Sequence, residues 1–170
     1  MANKKQASAP SGLQFSRRFT KEEVSVYDMF EYDYRTSIIR NPSGEVVFEM
    51  TNVEVPKQWS QIATDILAQK YFRKAGVPQP DGTLGRETSA KQVAHRMANC
   101  WRVWGERYDY FATANDAQIF YDELVYSILN QACVPNSPQW FNTGLHEVYG
   151  ITGKPQGHYY VDAKDGQLKK

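Results

Sequence analysis

The chain has 170 residues with a formal net charge of +1, 41% hydrophobic and 14% aromatic residues. That is length and apolar content enough for one packed domain. A near-neutral balance gives no electrostatic footprint for nucleic acid or an anionic membrane, and two cysteines, Cys100 and Cys133, make no disulfide framework.

Residues 1–14 are polar, small and Pro/Gly-containing, and read as a flexible leader. They lack the apolar stretch of a secretory signal, and no apolar run reaches the ~20 residues a membrane span needs. Two unpaired cysteines fit a reducing cytosol. The next stretch, "FSRRFTKEEVSVYDMFEYDYRTS", mixes aromatic and charged residues without a period. Extended or irregular chain that packs its rings on other elements is expected there.

A β-hairpin is predicted over about 36–55, with Asn41-Pro42-Ser43-Gly44 as a type I turn. Val46, Phe48 and Met50 form its expected buried face. Three helices follow. The first, about 58–75, carries Trp59, Ile62, Ala63, Ile66, Leu67 and Tyr71 as its stripe, with Gly76 and Pro78 as stops. The second, about 89–111, opens on a capping-box pattern, Ser89 and Gln92. The third, about 115–134, follows Asn115 or Asp116 and ends at Pro135. Both cysteines fall in largely apolar helical stretches, so buried, inert thiols are expected. The tail is turn-rich, with a strand-like piece at His158–Val161.

His95, His146 and His158 are scattered and stand at no metal-ligand spacing, so no metal site is predicted. The glycines of "DGTLG" and "GITGKPQG" match no phosphate-binding fingerprint. The stretch left over is "VPNSPQWFNTG", 134–144. Asn136, Ser137, Asn142 and Thr143 set hydrogen-bonding groups beside Trp140 and Phe141, and Pro138 fixes the backbone after the serine. A packed turn and a ligand-binding loop are both open on those residues.

"VPNSPQWFNTGL" resembles the Asn-Ser-Pro loop of adenosylcobalamin-dependent (class II) ribonucleotide reductases. So do "RTSIIRNPSGEVVFEMTNVEVPKQWSQIATDILAQKYFRKAGVP", "DAQIFYDELVYSILNQACVPNSPQWFNTGL" and "GKPQGHYYVD", which resemble the N-terminal region of that family in the same order. The resemblance runs from about Phe15 to Asp162. It implies a mainly α fold with a small β-hairpin over 15–170, packed in the family against a ten-stranded α/β barrel that this sequence does not contain. It implies that Ser137 contacts the ribonucleotide and that Asn136, Pro138 and Gln139 shape the same wall, with Trp140 and Phe141 as anchors. Gln139 departs from the family, where threonine or a small residue is common.

The family reduces ribonucleotides to deoxyribonucleotides by thiyl-radical chemistry initiated by adenosylcobalamin. Cys100 and Cys133 match none of its catalytic cysteines, and the resemblance puts the cobalamin site in later sequence. Residues 1–170 are therefore not expected to be active alone. The expected partners are the barrel-bearing remainder of the reductase, as a separate chain, and the ribonucleotide, with no nucleic acid or membrane, in the cytoplasm. The alternatives are a non-catalytic nucleotide- or protein-binding module and an inactive truncated remnant.

Overall fold

Asn41 organises the hairpin turn of the computed structural model, which describes residues 11–153 and 159–169. Its side-chain oxygen accepts from Ser43 N (3.1 Å), the Ser43 hydroxyl (2.7 Å) and Glu45 N (2.9 Å). The strands it joins, β1 (Tyr32–Arg40) and β2 (Val46–Pro56), pair antiparallel. Arg35 opposes Val53 while Ser37 opposes Met50, so β2 carries one extra residue there, with Asn52 in the left-handed region at φ 56°. Such a bulge flips the side-chain phase. Burial accordingly passes from Met50 to Val53 and Val55. Of the face expected to be buried, Met50 is buried, Phe48 is half-buried and Val46 is exposed, because the hairpin tip reaches past the core.

Ser60 caps α1 (Gln61–Ile66) by accepting from Ala63 N. The helix then widens into a π-helical turn, Leu67–Tyr71, where Phe72 N donates to Leu67 O five residues back. It ends there, short of Gly76 and Pro78. Pro78 instead lies in β3 (Val77–Pro78), paired with β4 (Leu84–Gly85). The buried face is Thr64, Leu67 and Ala68, with Ile62 and Ile66 exposed. Trp59 precedes the cap, so its burial does not report the helix face. Its indole donates to Leu129 O (2.7 Å).

α2 (Ala90–Arg107) starts on the capping box: Ser89 Oγ accepts from Lys91 N and Gln92 Oε1 accepts from Ser89 N. It stops four residues before 111, where Asp109 turns left-handed. α3 (Ala114–Leu129) is capped by Thr113, whose hydroxyl oxygen accepts from Asp116 N. It stops before Pro135, with Gln131 at φ 57°. Cys133 therefore lies past the helix and is exposed, contrary to expectation, whereas Cys100 on α2 is buried. α2 packs along α3 and against β2, and the three share one apolar core.

The aromatic strap before β1 behaves as its composition suggests. Phe15 packs edge-on against Phe120, and Phe19 stacks on Tyr126. Glu123 holds the strap by accepting from the backbone N–H of Arg18, Phe19 and Thr20. Leu13, expected in the leader, is tied down between Tyr110 O and Ala112 N; residues 1–10 lie outside the described residues. α4 (Ser137–Asn142) and α5 (Leu145–Tyr149) follow α3, and β5 (Tyr160–Val161) pairs with β6 (Leu168–Lys169). His158, expected to begin a strand, lies outside the described residues. The fold is mainly α with a small hairpin, and no described helix is long and apolar enough to cross a membrane.

Candidate functional site

The stretch 134–144 holds a short helix, α4, over Ser137–Asn142. Asn136 adopts extended backbone at the cap position, and Pro138 stands in the first turn of α4, where its missing N–H costs nothing. Gln139 N donates to Asn136 O (3.0 Å), and Thr143 N donates to Gln139 O (3.1 Å). Trp140 is buried and its indole donates back to Pro135 O (2.7 Å), pinning the approach to the helix.

The Ser137 hydroxyl lies 3.1 Å from the Tyr71 hydroxyl. The two stand at the rim of a cavity of about 500 Å³, a drug-sized volume. Asn136 and Gln131 are the other polar groups there, and Trp59, Leu67 and Ile128 belong to its apolar wall. Paired hydroxyls beside an exposed amide can donate to and accept from a polar ligand. Among the described residues no base bonds to Ser137, so the arrangement suits binding and not nucleophilic attack.

The sequence-derived site residues separate in space. Ser137, Asn136 and Trp140 line the cavity. Pro138 and Gln139 do not line it: Pro138 is exposed, and Gln139 accepts a short hydrogen bond from the Thr143 hydroxyl. Phe141 is 43% exposed and leans on Tyr71 with ring centroids 5.2 Å apart, so it is a flank of the turn and not a buried anchor.

Beneath the turn lies a pair that the residue pattern did not single out. Arg96 on α2 and Glu87 just before it have side chains 0% exposed, with Arg96 Nε 2.7 Å from Glu87 Oε1. Arg96 also donates to Thr143 O (2.8 Å), Trp140 O (2.5 Å) and Tyr71 O (3.4 Å). Glu87 accepts from Arg73 N (2.7 Å) and from the Tyr149 hydroxyl (3.0 Å). Burial, reinforced by the Glu87 charge, pushes the Tyr149 phenol far above its usual range, so it remains a donor. The legible signal was Arg96 lying three residues after Val93 and beside Met97, on the apolar side of α2. Gly144 follows the turn at φ +81°, and a Cβ there would stand 2.0 Å from Arg96 O, so only glycine lets the chain lie against α2.

Neither the Cys100 thiol nor His95 stands as a rival centre. Burial raises the Cys100 thiol pKa, which suppresses the nucleophilic thiolate. His95 Nδ1 is 2.7 Å from the Tyr121 hydroxyl. No group of three or more His, Cys, Asp or Glu among the described residues could hold a metal ion.

The family described as class II vitamin B12-dependent ribonucleotide reductase matches residues 33–131, which take in the hairpin and α1 to α3. The vitamin B12-dependent ribonucleotide reductase of Bradyrhizobium diazoefficiens is 46% identical over 187 aligned positions, covering 93% of this chain and 15% of that protein. The one from Agrobacterium fabrum is 45% identical, with 93% and 15% covered. That of Rhodopirellula baltica is 37% identical, with 84% and 14% covered. The chain thus spans about 15% of the length of the first of these curated relatives.

Proposed function

We propose a function from the premise that the chain belongs to the class II, vitamin B12-dependent ribonucleotide reductase family: it forms one wall of the substrate pocket of a reductase that converts ribonucleotides to deoxyribonucleotides. The observation that carries this reading is Ser137 at a cavity rim, its hydroxyl paired with that of Tyr71 on a turn seated by Trp140. The ribonucleotide meets Ser137 and Asn136. The barrel-bearing remainder of the reductase completes the pocket and brings the radical-carrying cysteines. Neither Cys100, buried on α2, nor Cys133, past the end of α3, is placed at the Ser137 rim. The setting is the cytoplasm.

The Ser137 cavity does not fit adenosylcobalamin: at about 500 Å³ it is smaller than a corrin with its nucleotide tail. The cofactor belongs to the remainder of the enzyme, and these residues bind, orient and shield the substrate instead.

Ser137→Ala in the complete reductase tests the reading. A hydrogen bond to a charged group is worth about 1.5–3 kcal/mol. Since Ser137 already has a partner in Tyr71, the substrate exchanges one bond for another and the loss falls at the low end. About a ten-fold drop in kcat/KM for ribonucleotide is expected in steady-state kinetics. Parental kcat/KM in Ser137→Ala would remove this turn from the substrate wall.

A further inference from the structure

Among the described residues Arg96 alone of the arginines is buried, and its guanidinium reaches both walls of the Ser137 cavity. One wall is the π-helical turn, through Tyr71 O at 3.4 Å. The other is the far end of α4, through Trp140 O at 2.5 Å and Thr143 O at 2.8 Å. Glu87 holds the fork from behind through Nε at 2.7 Å, and grips the chain just after Tyr71 through Arg73 N at 2.7 Å.

We propose that Arg96, clamped by Glu87, is a positioning residue for the substrate wall, setting the Ser137 and Tyr71 hydroxyls at the spacing that receives the ribonucleotide. The inference rests on the reading of the Ser137 turn given above. A six-residue helix does not sustain itself, and its last carbonyls have no partner within it. Burial of Trp140 seats the turn but is non-directional, so it does not fix where a hydroxyl stands. A planar fork bonded to carbonyls of two segments does fix it. Gly144 adds a backbone constraint, since it brings the end of the turn against the Arg96 carbonyl. Lysine offers a single ammonium and cannot bridge the same set of acceptors.

A double-mutant cycle in the complete reductase separates positioning from plain stabilisation. Arg96→Lys, Ser137→Ala and the pair are compared by kcat/KM for ribonucleotide, with thermal unfolding of each measured alongside. Arg96→Lys is expected to lose about ten-fold or more, and adding Ser137→Ala to it to cost no more than about two-fold further, because a misplaced hydroxyl has nothing left to lose. If the two losses multiply to about a hundred-fold, Arg96 acts only on stability and the inference is overturned. It is also overturned if Arg96→Lys keeps parental kcat/KM. A ten-fold Ser137→Ala loss with multiplying effects sinks this inference alone, whereas a silent Ser137→Ala sinks the substrate-wall reading itself. Should Arg96→Lys fail to fold, Glu87→Gln, which keeps the shape and one acceptor oxygen while removing the charge and replacing the second acceptor with a donor, takes its place in the cycle under the same criteria.

Discussion

A fully buried polar cluster and a half-buried one tie distant parts of this molecule together, and they are built on opposite terms. Under the candidate site, Arg96 and Glu87 form a charged pair whose remaining capacity is taken up by backbone groups of Tyr71, Arg73, Trp140 and Thr143 and by the Tyr149 hydroxyl. Under the strap, Tyr27, Tyr121 and His95 form a chain of neutral groups, with O···O and O···N distances of 2.7 Å each. The first joins main-chain segments and the second joins side chains. A charged hub fixes loops but tolerates no loss of a member. A neutral chain can be shortened from its end without stranding a charge.

The largest effect expected from breaking the first cluster is that of Arg96→Met. It leaves Glu87 buried without its counter-charge, a situation that costs about 3–5 kcal/mol. Urea unfolding should show a loss of that size, and Glu87→Gln combined with Arg96→Met should recover part of it, because the stranded charge is gone. A single variant as stable as the parent would mean that water reaches Glu87 and that the pair is not a closed hub.

How far the sequence shows these clusters follows from the range of the interactions. Helix starts are local, so Ser89 with Gln92 was readable from spacing alone, although the third start was misplaced: Thr113 caps α3, and Asn115 and Asp116 lie inside its first turn. Helix ends were not readable. α3 stops at Leu129 because Trp59, seventy positions away, takes its last carbonyl and Gln131 turns left-handed, and Pro135 plays no part. The bulge at Asn52 was equally hidden, since it appears only when β2 is laid against β1. At the site, Ser137 and Trp140 were legible through their setting in "PNSPQWF", while Tyr71 was legible only as a stripe residue and Glu87 not at all. Their partners are the main-chain oxygens and nitrogens of distant segments, which leave no mark on side-chain periodicity.

The second cluster responds to pH through His95. Burial, aided by the nearby Arg102 charge, holds the His95 pKa below its ordinary value. In the unfolded chain the group titrates near about 6.5. Above that pH both states are neutral and His95 contributes no pH dependence. As pH falls through it, the unfolded state takes up the proton first, so stability drops until the folded pKa is reached. The carboxylates of Glu123 and Glu54 act lower. Hydrogen bonds from Thr20 and the strap's backbone hold Glu123 down against the opposing effect of burial, and Lys91 and Ser89 do the same for Glu54. Their contribution is present above the unfolded carboxylate range and is lost as pH falls through their lowered values. His95→Gln should therefore flatten the stability profile just below about pH 6.5 while leaving the acid limb in place. An unchanged slope in that upper window would show that His95 is freely solvated.

The smallest effect is expected at the outer end of the neutral chain. A consistent set of donors runs from Tyr27 to the oxygen of Tyr121, and from the Tyr121 hydroxyl to Nδ1 of neutral His95. Burial keeps the Tyr27 phenol protonated far past its ordinary range, so it stays a donor across the working pH range. Tyr27→Phe removes that donor and leaves Tyr121 still bonded to His95. A typical hydrogen bond is worth about 0.5–1.5 kcal/mol net. The ring of Phe fills the same space, so the lower half of that interval is expected. Tyr121→Phe, at the middle of the chain, strands Tyr27 on one side and His95 on the other, and each stranded group costs about 1–3 kcal/mol. Urea unfolding at neutral pH should thus rank Tyr121→Phe clearly below Tyr27→Phe in stability. Equal losses would mean that the three groups do not form a chain. A Tyr27→Phe loss as large as that of Arg96→Met would erase the distinction between a neutral cluster that can be trimmed and a charged one that cannot.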